Sequence, residues 1–397
     1  MTAFELKEFG EKHFNEALDL AEYAFQNKFT PEERKKKNEL AKYGTHYGVF
    51  YEEQLAARLF LLELNIQLFD QQIKMGGIST VATYPEFRRN GLVKKLLHHS
   101  LVEMKKKGIF VSYLHPFSIP FYRKFGWELF ANYIHYTLGK SQFPSRESLK
   151  GSIRRSTIED LDIRKVYQEY VSNHPGNLIR DHIWWAKRLQ SKWENHEVAI
   201  SYDESKRPSG YLIYKIKDNG MKVEELIYLN EDSRIDLFSF MSQHDSMLEE
   251  ITFKRPHTDE MAPLLPDPRV QQEIHPFFMA RIVDVVGFLE LYPFKGTIPK
   301  EKALYFHIED PFCEWNDGYF SLHHENEKVH ITKISQEQVS NNDVITISIN
   351  DLTLLLFGCQ TLSQLHNRRK LRASKEQLSI LQTLLPELTK PEFIDFF

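Results

Sequence analysis

The stretch VATYPEFRRNGLVKKLLHH, Val81 to His99, sets Arg88, Arg89, Asn90 and Gly91 between a β-branched strand and an amphipathic helix. A helix start carries backbone N–H groups without intrahelical acceptors, and the macrodipole adds partial positive charge there. Guanidinium groups beside it can grip an oxyanion with two parallel hydrogen bonds. The chemistry this pattern can do is to hold an anion, a pyrophosphate above all. The amides of Arg88, Arg89, Asn90, Gly91, Leu92 and Val93 would point at it. The loop has neither the G-x-G-x-x-G of dinucleotide folds nor the Gly-Lys-Ser/Thr of a P-loop. Taken alone, its residues also suit a solvated turn capped by glycine.

A second reactive candidate lies downstream, in PFSIPFYRKFGWE. The Tyr122 phenol, with an ordinary pKa near 10, could protonate a departing thiolate. It could equally pack with Phe121, Phe125 and Trp127. His115 ends the strand before this segment and is a candidate base. The chain closes on PEFIDFF, where Phe393, Ile394, Phe396 and Phe397 are too apolar to be left in water. Pro386 and Pro391 keep a helix from running through to the end. The tail is therefore expected to dock, extended, in a groove between domains. Trp184 and Trp185 in DHIWWAKRL could stack on a sugar or join domains. The pairs in LLHHS and SLHHE lack the spacing of a zinc site, so no metal is expected.

The elements that must position these groups can be read in order. AFELKEFG is a short strand. Asn15 to Gln26 has helical spacing, with Ala17, Leu18, Ala21 and Phe25 on one face. TPEERKKKNEL opens a second helix, with Thr30 as N-cap, Pro31 at N1 and Glu33 at N3. Three strands follow, then the arginine loop and a helix from Leu92 stopped by Gly108. IFVSYLHP is a strand, SIPFYRKFG a short helix and WELFANYIHYTLG the last strand, giving β-α-α-β-β-β-α-β-α-β. KSQFPSRESLKGS is a polar connector. Beyond it, KVEELIYLNEDSRIDLFSFMSQHDSMLEEITFKRP repeats strand–loop–helix–strand, with Asn230, Glu231 and Asp232 where the first copy has arginines and glycine. Acidic residues there repel phosphate. A third unit starts near FMARIVDVV. It has strands ALYFHIED, GYFSLHHEN and VITISINDLTLLLFG, then helices LSQLHNRRKLRA and KEQLSILQTLLPEL.

The chain has 397 residues, which predicts two or three domains. A net charge of −4 disfavours nucleic acid and suits a cationic substrate. Two distant cysteines, Cys313 and Cys359, fit a reducing cytoplasm. No signal-peptide core or membrane-length apolar run is present, so neither secretion nor membrane insertion is expected.

The order of elements, the Arg88–Gly91 loop after STVATYPEF and the downstream PFSIPFYRKFGWE resemble the GNAT superfamily of acetyl-CoA-dependent N-acetyltransferases. VATYPEFRRNGLVKKLL with PFYRKFGWE is similar to the Eis family, whose members include aminoglycoside acetyltransferases. The resemblance implies an α/β (α+β) fold with tandem GNAT-like domains, their mixed central sheets flanked by helices, and a C-terminal α+β sterol-carrier-like domain. The divisions would be 1–140, a catalytic domain; 141–284, a degenerate copy without a phosphate cradle; and 285–397. Val93 departs from the superfamily loop, which has glycine or alanine there. The implied cofactor set is Val81, Ala82, Thr83, Arg88, Arg89, Asn90, Gly91, Leu92, Val93 and Ser118. Val81 to Thr83 should lose their pairing with the next strand and face the pantetheine arm, the Val81 amide serving as oxyanion donor. Tyr122 takes the general-acid position, and the terminal carboxylate of Phe397 is the base, with His115 or water as alternatives. Phe25 resembles the acceptor-side wall.

The implied activity is acetyl transfer from acetyl-CoA to an amine of a small cationic molecule, aminoglycoside-like or polyamine-like, by direct attack in a ternary complex. The alternatives are acetylation of a protein lysine or N-terminus and, in another class, a lipid or acyl-CoA carrier or sensor. The resemblance also implies a homo-oligomer.

Overall fold

The computed structural model describes residues 4–296, 298, 303–325, 328–340 and 343–397. Contacts divide the chain into two compact units, one of residues 1–130, 278–390 and 396–397, the other of 131–277 and 391–395. These units do not follow the stretches 1–140, 141–284 and 285–397, because most of the first and third stretches share one unit.

The first unit opens with β1 (Glu5–Phe9), α1 (Phe14–Ala24), α2 (Pro31–Ala41), β2 (Thr45–Tyr51), β3 (Gln54–Leu68), β4 (Gln71–Thr83), α3 (Leu92–Lys106), β5 (Val111–Leu114) and α4 (Ile119–Arg123). The α2 start carries the expected capping box: Thr30 Oγ1 accepts from the Glu33 amide at 3.2 Å, and Glu33 Oε2 accepts from the Thr30 amide at 2.8 Å. Helix α3 buries Leu92, Leu96, Leu97, Leu101 and Met104. Full burial of such side chains is worth about 1.5–3 kcal/mol each. The paired glycines of β4 serve opposite faces, as strand alternation requires. A Cβ on Gly76 would meet Met104 Sδ at 2.2 Å, and one on Gly77 would meet the Phe397 ring at 2.8 Å.

The second unit holds most of β6 (Glu128–Gly139), then β7 (Ser152–Ser156), α5 (Leu161–Asn173), a π-helical turn (Trp184–Leu189) running into α6 (Gln190–Lys192), β8 (Glu197–Tyr202), β9 (Pro208–Lys217), β10 (Gly220–Tyr228), α7 (Glu231–Ser242) and β11 (Glu250–Pro256). Its strands are ordered β6-β11-β10-β9-β8-β7, and β10/β11 is a parallel pair. The strand–loop–helix–strand order of β10, α7 and β11 is the one its sequence repeat predicts.

The chain returns through β12 (Gln271–Ile282), whose residues Met279–Ile282 pair antiparallel with β5. The first unit's main sheet thus runs β1-β2-β3-β4-β5-β12, with β4/β5 parallel. The same unit holds α8 (Val285–Glu290), β13 (Leu304–Glu309), β14 (Gly318–Glu325), β15 (Lys328–Ile334), β16 (Val344–Ser348), α9 (Ile349–Leu356), α10 (Leu362–Asn367), β17 (Leu371–Arg372) and α11 (Lys375–Leu384). Its second sheet is ordered β15-β14-β13-β16-β17. The fold is the expected mixed α/β, with three differences. LSQLHNRRKLRA is helical only to Asn367, and its Leu371–Arg372 pair with β16 as strand β17. DLTLLLFG is helical rather than strand: Ser348 caps α9 by accepting from the Asp351 amide at 3.1 Å. A short apolar run carries no period to tell the two apart. Phe25, expected on the apolar face of α1, is the helix C-cap and is 52% exposed.

His46 in β2 is buried and stacked on Phe60. Its Nε2 contacts the Ala41 carbonyl at 2.9 Å, while Nδ1 is buried without a partner among the described residues. Burial pulls its pKa down to about 4. The unfolded chain therefore binds the proton more readily, and stability present above pH ~6.5 is lost as pH falls towards ~4. In urea titrations His46→Gln is expected to flatten that loss relative to wild type. An unchanged slope would remove His46 as its source.

Candidate active site

Strand β4 keeps its partner β3 along its length but pairs with β5 only over Met75–Ile78, opposite Val111–Leu114. Past Ile78 its β5-facing edge has no ladder partner among the described residues. The cause of the divergence is visible in β4 itself. Two residues, Thr80 and Val81, stand opposite Leu59 alone, so the strand carries a bulge, and Thr80 has φ +46°. Arg58, 4% exposed, holds the bulge: Nη2 donates to Thr80 Oγ1 at 2.9 Å, and Nη1 donates to the Ala17 carbonyl at 2.6 Å. Burial draws its pKa down to about 10, so the group remains charged at neutral pH. Val81 lies in the bulge with no register partner on β3 or β5, whereas Ala82 and Thr83 pair with Arg58 and Ala57. The buried Thr83 hydroxyl has no hydrogen-bond partner among the described residues.

The loop after β4 reaches α3 through two left-handed residues, Arg89 at φ +66° and Gly91 at φ +71°. Gly91 is the N-cap, and no side chain caps the helix. The helix thus begins with first-turn amides, those of Leu92 and Val93 among them, that no side chain caps. A Cβ on Gly91 would meet nothing within 4 Å. Arg88 and Arg89 are exposed, and neither guanidinium has an ion-pair partner among the described residues. Asn90, also exposed, folds back on the loop, its Nδ2 donating to the Phe87 carbonyl at 3.2 Å. The second unit resolves the same junction differently. There Asn230 caps α7, its Oδ1 accepting from the Ser233 amide at 2.9 Å, and Glu231 and Asp232 occupy the first turn.

Tyr122 sits in α4, 3% exposed, in the same apolar cluster as Ile78, Leu114 and the partly buried Val81. Burial raises its pKa, so the phenol keeps its proton at neutral pH. Its hydroxyl makes no hydrogen bond among the described residues. Ser118, half-buried, is the N-cap of α4. His115 is exposed and packs on Phe278 and Phe396, with ring centroids 5.6 and 4.9 Å apart. Phe397 is buried against Gly77 and against Phe278, 5.0 Å between centroids. The last residue of the chain therefore rests on β4 one position before its pairing with β5 ends. Among the residues the sequence points to, the structure gathers Val81, Tyr122, His115 and Phe397 around this end of β4. Phe25, the C-cap just past α1, is exposed.

Within the second unit, residues 391–395 are not frayed. Asp395 accepts from Arg180 Nε at 3.0 Å, Tyr167 Oη at 2.9 Å and Trp184 Nε1 at 3.0 Å, and Arg180 also pairs with Glu225. Glu392 accepts from Tyr170 Oη at 2.7 Å. Trp184 and Trp185 are buried, which takes both away from any sugar. Arg58, Thr80 and Gly77 escaped sequence reasoning. An arginine inside a β-strand reads as a solvated face residue, and only the adjacent GG pair signalled a close approach.

Residues 5–130 match the acetyltransferase (GNAT) domain family, residues 176–282 match a second acetyltransferase (GNAT) domain family, and residues 285–393 match the sterol carrier protein domain family. The chain belongs to the GNAT superfamily, with two GNAT domains followed by a sterol carrier protein domain. A structure from Enterococcus faecalis V583, a conserved protein of unknown function described as a probable N-acyltransferase, is 27% identical with a TM-score of 0.90, covering 100% of both chains. Eis1 from Mycobacterium abscessus shares the fold at 19% identity, with a TM-score of 0.79 and full coverage of both chains. An uncharacterized N-acetyltransferase of Streptomyces griseus is 24% identical over 280 residues, 64% of this chain and 66% of that protein. One from Streptomyces avermitilis is 26% identical over 245 residues, 56% of this chain and 59% of that protein. The chain thus spans just under two thirds of the length of these curated relatives.

The seat of Phe397 depends on the missing side chain at position 77. Gly77→Val is expected to push the ring out and to speed release of phenylalanine by carboxypeptidase A relative to wild type. Unchanged release from a folded variant would show that Gly77 does not hold the terminus.

Proposed function

We propose that this protein is an acetyl-CoA-dependent N-acetyltransferase whose acceptor is an amine of a small cationic molecule, aminoglycoside-like or polyamine-like. The observation that carries the reading is the uncapped start of α3, beside two arginines without ion-pair partners among the described residues, at the end of a strand whose far half has lost one neighbour. Backbone donors, positive φ and open space above Gly91 suit a pyrophosphate. The free edge of β4 suits the amide groups of a pantetheine arm. Arg88, Arg89, Asn90, Gly91, Leu92 and Val93 would hold the phosphates, with Val81, Ala82, Thr83 and Ser118 along the arm. Acetyl-CoA supplies the acetyl thioester when bound.

The protein's own groups then have distinct tasks. The Val81 amide, free of a register partner, is aimed to stabilise charge on the thioester oxygen. Tyr122 Oη gives its proton to the sulfur as the C–S bond breaks and the C–N bond forms. The terminal carboxylate of Phe397 takes or orients the proton leaving the amine, with His115 as the competing base. The buried seat of Phe397 and the anchored residues before it favour the carboxylate, because a fixed group can be aimed. The net charge of −4 accords with a cationic acceptor.

A carrier role finds little room. The apolar cavity of the sterol carrier protein domain, lined by Leu289, Phe306, Ile308, Leu322, Leu352 and Leu381, holds about 20 Å³. That is roughly the space of one water molecule.

CoA release is expected with at least one member of a panel of aminoglycosides, polyamines and lysine peptides. Release with none would overturn the reading, and release with peptides alone would move the acceptor to protein. Gly91→Glu places bulk and negative charge over the cradle and is expected to abolish acetyl-CoA binding by calorimetry without unfolding the chain. Tyr122→Phe is expected to lower kcat by about 10²-fold with a small change in the KM for acetyl-CoA. Wild-type kcat in that variant would leave Tyr122 a packing residue. A few residues added after Phe397 are expected to abolish turnover while acetyl-CoA still binds. Full activity of the extended chain, lost in His115→Ala, would assign the base to His115.

A further inference from the structure

Tyr122 stands in a helix of five residues, Ile119–Arg123. A single turn has too few internal hydrogen bonds to fix its own direction. The chain then reverses at Gly126, φ +87°, and the amides of Phe125 and Trp127 both donate to the Tyr122 carbonyl, at 2.9 and 3.3 Å. The carbonyls of this reversal point to donors from elsewhere in the same unit. Arg281 Nη1 donates to the Phe125 carbonyl. Asn350 Nδ2, in the first turn of α9, donates to the carbonyls of Arg123 at 3.2 Å and Trp127 at 3.0 Å.

Arg281 is wholly buried and pairs with Asp310, which is also buried and lies just past β13. Its guanidinium carbon lies 5.4 Å from the centre of the Trp127 ring and 5.9 Å from that of Phe312. Asp310 is held in turn by Asn316 Nδ2 at 3.1 Å and by the Cys313 amide at 3.3 Å. A Cβ on residue 126 would meet Arg281 Nη1 at 1.6 Å, so Gly126 admits the guanidinium as well as the turn. A buried ion pair is a poor source of net stability, because desolvation offsets its attraction. What it does supply is one geometry. Asp310 and Asn350 both belong to the sterol carrier protein domain.

We propose that Arg281, Asp310 and Asn350 are positioning residues for Tyr122, and that the sterol carrier protein domain acts in acetyl transfer by clamping the catalytic turn from behind. This rests on Tyr122 being the proton donor. The clamp leaves the phenol's chemistry alone and fixes where its hydroxyl stands, and misplacement of a reacting group by 1 Å can cost about 10²-fold in rate.

The test uses the full chain and the amine of the panel that gives the fastest CoA release. Asn350→Ala removes two neutral hydrogen bonds at a half-buried site and leaves Arg281 and Asp310 paired. It is expected to lower kcat about tenfold, with the KM for acetyl-CoA and the calorimetric acetyl-CoA affinity within about twofold of wild type. Arg281→Lys, which keeps charge and one donor, is expected to retain more kcat than Arg281→Met. In a Tyr122→Phe background Asn350→Ala should cost nothing further, since two residues acting through one hydroxyl are not additive. Wild-type kcat in Asn350→Ala, or an equal loss in both backgrounds, would overturn the clamp while Tyr122 keeps its role. Wild-type kcat in Tyr122→Phe alone would remove the proton donor and the clamp's purpose together.

Discussion

Beyond Ile78, β4 keeps its hydrogen bonds to β3 and loses those to β5. Everything else at the site follows from that one-sided strand. A sheet that stayed paired would close the wedge and spend the backbone groups an extended ligand needs. The bulge at Thr80 starts the divergence, and a bulge with a left-handed threonine is held only by its surroundings. Arg58 provides the hold, reaching from β3 to the Thr80 hydroxyl and to the Ala17 carbonyl near the start of α1. A buried guanidinium is an expensive clamp, and its cost marks this as a point where geometry outranks stability.

The two GNAT domains show how little separates a cradle from a plain helix start. Both follow a strand with a short loop and a helix. In the first, no side chain caps the opening amides of α3 at Gly91, and beside them two exposed arginines have no ion-pair partner among the described residues. In the second, Asn230 satisfies the start of α7 with its own side chain, and two acidic residues occupy the position where an anion would sit. A side-chain cap takes up one of the helix-start amides, and acidic residues in the first turn disfavour an anion at the rest. The proposed division of labour, one domain binding acetyl-CoA and the other supplying scaffold, rests on that difference.

The apolar pocket lined by Leu289, Phe306 and Leu381 in the sterol carrier protein domain is small, and two of the domain's polar side chains serve the first GNAT domain's turn. Asp310 and Asn350 spend their hydrogen bonds on Arg281 and on the carbonyls around Tyr122. The end of the chain is treated with similar care. Asp395 and Glu392 are bound by buried tyrosines, a tryptophan and Arg180, and Phe397 has its own seat against Gly77. A segment meant to fray would not be given that many partners.

Local chemistry carried much of this into the sequence. The Arg88–Gly91 loop, the Thr30 capping box, the Gly108 and Gly126 stops and the repeat around Asn230 are legible because each depends on residues three or four positions apart. Four apolar residues in the last five announced that the tail would be buried. The element order and the motifs were enough to point to the superfamily. The sequence misled where a local pattern is ambiguous: DLTLLLFG has no period to show that it is helical, and Phe25 keeps the helical spacing of α1 yet falls one residue past its end. Tertiary structure alone decided the groups that act over distance. Arg58 meets Thr80, Gly77 meets Phe397, and Arg281 meets Asp310 and the turn after Tyr122, each pair separated by 22 residues or more along the chain. No local propensity encodes such a pair, because what brings its members together is the burial of the surfaces around them.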